Sequence, residues 1–462
     1  VNDPALTPAF ARELRDLLGD ALRTDPADCL AYGYDNSRRE AMPAAVAIPE
    51  DRALIVALVR ACRRARMPLV VRGRGTNTTG ATVPIAGGVV LSCERINRIL
   101  ALEPADRLAR VEAGALNGDL QRALAGEGFF WAPDPTSADY STIGGNLACN
   151  AGGPRTLKYG ACRDNTLALA AVSGAGATLV TGSRTTKGAV GYDLTRLLIG
   201  SEGTLAVITE ATLKLTPRPE ASATLRALYT DVAAAAGAVA RIMRQPEIPC
   251  ALEFMDGACV RLARERGGAD LSAAGALLLI EVDGRVDAIS GALDAVARAA
   301  AGAGALEIER ASDPASIARL WQARKALSPA LRSIAPMKIN EDVVVPVSRL
   351  PALIEGLDAI SAQSRIPIVN FGHAGNGNMH VNLLFDPTDT ALAAAAPEAL
   401  SGVFDLVLAL GGTLSGEHGI GIEKRAFVSR AIEPATLALM RALKSCFDPE
   451  GILNPGKLLP DV

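Results

Sequence analysis

Gly73-Arg-Gly-Thr-Asn-Thr-Thr-Gly80 follows the apolar run Pro68-Leu-Val-Val-Arg72 and leads into a second run, Gly88 to Ser92. Both runs read as strands, so the loop joins strand to strand. Its glycines and small hydroxyls leave backbone N–H groups open to an anion. No Gly-Lys-Ser/Thr follows, which excludes a Walker loop. A Rossmann fingerprint also fails: Gly73 and Gly75 fit, but Thr78 breaks the pattern and a strand follows where a helix is required. Alone, the loop reads as a plain turn.

Its weight comes from a second segment, Pro133 to Gly160. That stretch holds Asp134-Pro-Thr-Ser137, Thr142-Ile-Gly-Gly-Asn146, Asn150-Ala-Gly-Gly153 and Tyr159-Gly160. Ile143, Leu147 and Tyr159 give it apolar anchors that a disordered linker lacks. A folded surface that lets a large ligand approach the backbone accounts for the glycines better. A third segment, Leu198 to Ile208, is a glycine turn running into a strand. Around these lie an amphipathic helix over 8–24, a strand over 44–49 and a helix over 51–66. Thr216-Pro-Arg-Pro219 breaks the strand pattern and marks a domain boundary. Beyond it strands over 277–282, 306–309 and 341–346 alternate with helices over 286–302, 314–333 and 348–363. A helix over 397–410 and a short, turn-rich tail over 447–457 complete the pattern.

The 462 residues suffice for two domains, each with its own core. Only 4% of residues are aromatic, so those cores are built from Ala, Leu, Val and Ile. A net charge of −3 removes the electrostatic case for nucleic acid. The eight cysteines include no C-x-x-C pair, which argues against an iron–sulfur cluster, a zinc ribbon or a disulfide framework. No apolar run approaches the ~18 residues a membrane span needs, and no signal peptide is visible at Val-Asn-Asp-Pro. The expectation is a cytoplasmic protein, compatible with peripheral attachment to a membrane and with a homodimer.

All three histidines lie in two glycine-rich segments, Phe371-Gly-His-Ala-Gly-Asn-Gly-Asn-Met-His380 and Ser415-Gly-Glu-His-Gly-Ile-Gly421. Imidazole is the preferred side chain for metal ligation and for proton transfer near neutral pH. The runs 366–371 and 379–385 read as the strands of a hairpin, and its closure brings His373 and His380 together. Period-two alternation puts Asn382 on the face of His380. Glu417 is the best third ligand, giving two histidines and one carboxylate with open positions; zinc or manganese fits. His418, whose side chain diverges from that of its neighbour, is then left to act as a base.

Together these residues resemble the FAD-linked D-2-hydroxyacid dehydrogenases of the vanillyl-alcohol-oxidase superfamily. That family includes D-lactate and D-2-hydroxyglutarate dehydrogenases and the flavin subunit of glycolate oxidase. The resemblance runs from about residue 40 to Lys457, through segments 73–80, 135–153, 200–208, 372–380, 416–421 and Asn454-Pro-Gly-Lys457. It implies an α+β protein with a PCMH-type FAD-binding domain over 1–219 (core about 40–217). An α/β substrate domain with an antiparallel sheet follows over 220–415, and a segment over 416–462 returns to the FAD domain. The implied flavin site comprises Arg72, Gly73, Arg74, Gly75, Thr76, Asn77, Thr78, Thr79, Gly80, Pro135, Thr136 and Ser137. It continues through Thr142, Ile143, Gly144, Gly145, Asn146, Asn150, Gly152, Gly153, Tyr159, Gly160, Glu202, Gly203, Ile208 and Asn454. The resemblance also implies metal ligation by His373, His380 and Glu417, a base at His418 and a substrate-orienting amide at Asn382. Arg324 and Ser328 match the carboxylate clamp. Hydroxyglutarate-type members carry a lysine where Asn340 stands, and Lys338 is the nearest substitute.

The reaction so implied is oxidation of a D-2-hydroxy acid to the 2-keto acid, with hydride transfer to flavin N5. D-2-hydroxyglutarate is the first substrate expected, D-lactate or glycolate the next. Electrons leave to an external acceptor: a quinone, an electron-transfer flavoprotein or a cytochrome. A histidyl link to FAD needs a histidine in the first half of the chain, and none exists before His373, so FAD is expected to be noncovalent. The rival from another class is a non-catalytic flavin-binding subunit of an oxidase complex, which needs no base.

Overall fold

A computed structural model describes residues 6–267, 274–331 and 334–461. The chain divides into two units, and both are discontinuous. Unit 1 comprises Val1–Gly153, Gly160–Arg218 and Glu417–Val462; unit 2 comprises Pro154–Tyr159 and Pro219–Gly416.

Unit 1 is built on two main sheets, with a two-stranded pair of Phe129–Phe130 and Thr216–Pro217 in addition. In the first, Ala45–Ala47, Val89–Ser92 and Leu69–Arg72 pair in parallel, with Leu22–Arg23 antiparallel on the outer edge. The second is antiparallel, in the order Ile99–Glu103, Leu108–Glu112, Ala206–Lys214, Thr166–Ser173, Thr178–Gly182. Parallel strands need crossovers, and the helix Arg52–Ala65 provides one. Asp51 caps that helix, and Ile55, Leu58, Val59 and Cys62 form its buried stripe. The C-terminal segment completes the same core. Ile452 and Leu453 are buried within it, and Leu453 bridges to Leu69. Three sequence expectations change here. The first helix ends at Leu18, where Gly19 takes φ +49°. The helices Asn117–Gly126 and Ile143–Cys149 were not anticipated, because glycines at 118, 144 and 145 masked their periodicity. The helix Pro434–Phe447 was not anticipated either, and it leads into the turns expected over 447–457.

Unit 2 is a seven-stranded antiparallel sheet in the order Ala305–Ala311, Ala221–Tyr229, Ala276–Gly284, Ala251–Asp256, Ile368–His373, Asn378–Phe385, Met337–Val344. Two of these strands, Ala221–Tyr229 and Ala251–Asp256, were not anticipated, nor was the helix Gly257–Gly267, whereas the alanine run 233–236, which reads as a helix segment, lies in the helix Val232–Ile242. The helix expected over 397–410 begins at Thr390, with Pro397 inside it. Its twenty residues are long and apolar enough to cross a membrane by length and composition, which corrects the sequence expectation. A run of alanines raises its hydropathy. Ala396, Ala399, Val403, Phe404 and Val407 form a buried stripe, and the helix packs on Leu350–Ser364. Leu406 approaches so closely that a Cβ on Gly356 would lie 2.6 Å from it.

Candidate active site

Register places the histidines. Antiparallel pairing sets His373 opposite Asn378 and Phe371 opposite His380. Cross-strand partners share a face of the sheet, so His373, Phe371, His380 and Asn382 all project from one side. The flanking strands add to that face: Glu253 lies opposite His373, Asp342 opposite His380 and Asn340 opposite Asn382. Gly377, at φ +72°, makes the turn, and a Cβ there would lie 1.9 Å from the Val345 carbonyl oxygen. Both imidazoles are buried, edge to face, with centroids 5.2 Å apart.

The third member follows directly in the chain. Asp342 accepts the Gly416 N–H at 2.8 Å and the Ser415 hydroxyl at 3.0 Å. That carboxylate pins the last residues of unit 2, Ser415 and Gly416, immediately before Glu417 in the chain. One ligand atom from each of His373, His380 and Glu417 then lies within 4.8 Å of the others. A tetrahedral ion with bonds of about 2.1 Å separates its ligand atoms by about 3.4 Å. Rotation of side chains closes the difference, so the donor set fits a divalent metal.

Glu253 was missed from sequence, although an acid inside the apolar run Ala251-Leu-Glu-Phe-Met255 was a usable signal. It is fully buried. One oxygen lies 2.5 Å from His373 Nδ1, and the other accepts Arg324 Nε at 2.8 Å. Burial pushes its carboxyl up, but His373 and Arg324 together overcome this and hold it below the usual carboxylate range. The Arg324 guanidinium also stacks on Phe371, 4.5 Å from the ring centroid. Among the described residues its terminal nitrogens donate no hydrogen bond. Asn382, with no exposed surface, accepts Asn340 Nδ2 at 2.6 Å and donates to the carbonyls of Val369 and His380. Lys338 lies two residues from Asn340, on the same face. The side chain of Ser328 lies outside the described residues.

In unit 1, most polar side chains expected around a flavin hold the chain itself. Arg72 donates to the carbonyls of Tyr34 and Ala31. Asn77 Oδ1 accepts the N–H groups of Thr79 and Ala81, while its Nδ2 donates to the His418 carbonyl at 2.9 Å. Thr142 caps the helix Ile143–Cys149 by accepting the Gly145 N–H. Asn150 accepts the Arg163 N–H, and Asn454 donates to the carbonyls of Ala81 and Glu202. Buried Glu202 accepts the N–H groups of Ile420 and Gly421 at 2.6 and 2.7 Å, pinning the loop just after His418. Ile208 and Ile143 belong to the core. Tyr159 is part of unit 2, where its hydroxyl donates to Asp283. The groups left over are informative. Among the described residues, Thr78 Oγ1, Ser141 Oγ and Asn146 Nδ2 are buried and find no hydrogen-bond partner. Buried polar atoms of this kind need a ligand or water, and a polar cofactor fits them.

The comparisons with known proteins agree with this architecture. Residues 43–182 match an FAD binding domain, and 218–458 match the C-terminal domain of FAD linked oxidases. The chain belongs to the FAD-linked oxidases. It is 37% identical to the glycolate oxidase subunit GlcD of Bacillus subtilis, over 93% of this chain and 92% of that one. It is 31% identical to a D-lactate dehydrogenase of Anaerostipes hadrus, over 96% and 94%. In fold it resembles p-cresol methylhydroxylase, with a TM-score of 0.81 over 99% of this chain and 98% of that one at 15% identity. Alkyldihydroxyacetonephosphate synthase gives 0.74 at 22% identity, over 99% and 87%. The PCMH-type fold and FAD chemistry expected from the sequence are thereby established, and the protein is an FAD-dependent oxidoreductase.

Proposed function

We propose that this protein oxidises a small D-2-hydroxy acid to the 2-keto acid, with His418 as the base. The convergence of His373, His380 and Glu417, one residue before His418, carries the reading. Bound FAD supplies a hydride acceptor, and a zinc or manganese ion held by those three residues supplies a Lewis acid that lowers the hydroxyl pKa. His418 takes the hydroxyl proton. Its backbone is fixed by Asn77 and, two residues on, by Glu202, which suits a group that must be held in place. Arg324 offers its terminal nitrogens to the substrate carboxylate. Asn382 acts by holding Asn340 and the His380 carbonyl. Electrons then pass to an external acceptor: a quinone, an electron-transfer flavoprotein or a cytochrome.

A short monocarboxylate, glycolate or D-lactate, fits best. The position where hydroxyglutarate-type relatives carry a lysine is Asn340, whose amide is committed to Asn382. D-2-hydroxyglutarate is the second reading, favoured by Lys338 on the same face. Anaerobic mixing of the purified protein with glycolate, D- and L-lactate, and D- and L-2-hydroxyglutarate tests both. Rapid bleaching by glycolate or D-lactate is expected. Faster bleaching by D-2-hydroxyglutarate would reverse the order. Bleaching by none of them would favour a non-catalytic flavin subunit.

A further inference from the structure

Glu253, buried in a central strand of unit 2, touches both His373 and Arg324. We infer that Glu253 is a positioning residue that couples metal binding to substrate binding, through His373 on one oxygen and Arg324 on the other. This inference rests on the metal site proposed above.

The register makes Glu253 the direct cross-strand neighbour of His373. An ionised carboxylate only accepts hydrogen bonds. Its 2.5 Å approach to Nδ1 therefore fixes the proton on that nitrogen and leaves the Nε2 lone pair for an ion. The second oxygen receives Arg324 Nε, so the guanidinium is held along one edge. Its flat face rests on Phe371, and Phe371 also lies 5.6 Å, centroid to centroid, from the His380 ring. Held by Nε and by stacking, the guanidinium keeps its two terminal nitrogens for a planar anion, which is the geometry a bidentate carboxylate requires. The pair is also mutually dependent. Glu253 has no exposed surface, and an unpaired buried charge is strongly destabilising. Arg324 neutralises it without needing substrate. A single carboxylate thus orients a metal ligand and the substrate-facing cation together.

The test measures zinc affinity on metal-stripped protein by competition with a chromogenic chelator, alongside KM and kcat for the best substrate. His380→Ala is the control. If wild type and His380→Ala bind zinc equally, the metal site itself is wrong, whatever Glu253 does. If the control loses zinc, Glu253→Gln is expected to weaken zinc about 10- to 100-fold and also to raise KM. Arg324→Lys keeps a cation but removes the planar fork, and is expected to raise KM and to weaken zinc as well. It also guards against a Glu253 variant that fails to fold. Wild-type zinc affinity in folded Glu253→Gln would overturn the positioning role. An Arg324→Lys variant with raised KM and unchanged zinc affinity would overturn the coupling.

Discussion

The hairpin Ile368–Phe385 and the loops of unit 1 are both rich in glycine and asparagine, yet they use these residues in opposite ways. In the hairpin, glycine makes the turn and regular strands on either side aim imidazoles from one face. Around 73–80 and 142–153, most of the polar side chains fold back onto the chain. Arg72, Asn77, Thr142 and Asn150 cap, pin and bridge, and glycines leave room for close approach. A Cβ on Gly73 would lie 2.2 Å from Thr142 Oγ1. One region offers side-chain chemistry on a rigid frame, the other a shaped backbone. Substitutions should therefore fail differently in the two regions.

The largest effect is expected in the hairpin. Chelation, or His380→Ala, should abolish flavin reduction by substrate while the protein stays yellow, because both histidine ligands belong to unit 2 and the flavin loops to unit 1. Full activity in a metal-free preparation would break the contrast. Next comes His418→Ala, which should keep metal and FAD yet slow flavin reduction about 10²- to 10⁴-fold. Glu417→Ala should lose metal first. If His418→Ala loses metal as readily, His418 is itself a ligand. A smaller effect, read as stability, is expected from Gly73→Ala, where overpacking against Thr142 should cost about 1–3 kcal/mol. Thermal melts of Gly73→Ala with and without Thr142→Ala would check this, since the second substitution removes the colliding oxygen. The double variant should melt above Gly73→Ala, although the lost helix cap costs about 1 kcal/mol. The mildest expectation concerns the thiols. Cys446 is exposed, and burial pushes Cys62, Cys93 and Cys149 up to about 12. One thiol per chain should react with a thiol reagent in the native protein, and acid precipitation should release all the flavin as FAD. Flavin retained in the pellet would point to a link at Cys149 or Cys162.

Much of the site was legible because its signals were local. Three histidines in two short motifs and a loop between two apolar runs survive without tertiary information. Glu253 did not, because its importance lies in register. It becomes visible only when Ala251–Asp256 is laid beside Ile368–His373, and that strand was itself missed. A second role of Asn77 was hidden for a related reason: its amide fastens the loop to the His418 carbonyl, a partner 341 residues away. The short helices 117–126 and 143–149 were hidden because glycine inside them weakens the helical pattern.

The divided make-up of unit 1 also fixes when this protein can finish folding. Leu453 and Asn454, with His418 on the same returning segment, reach unit 1 only after all of unit 2 has been synthesised. At about 5–20 residues per second, roughly 200 intervening residues delay that closure by some 10–40 seconds on the ribosome. Throughout that interval Leu69 lacks its partner Leu453, and the flavin loops lack the segment that Asn77 and Glu202 hold. A chain stopped anywhere before Leu453 leaves the first domain open, so premature termination ahead of that residue leaves no half-enzyme that keeps a closed flavin domain.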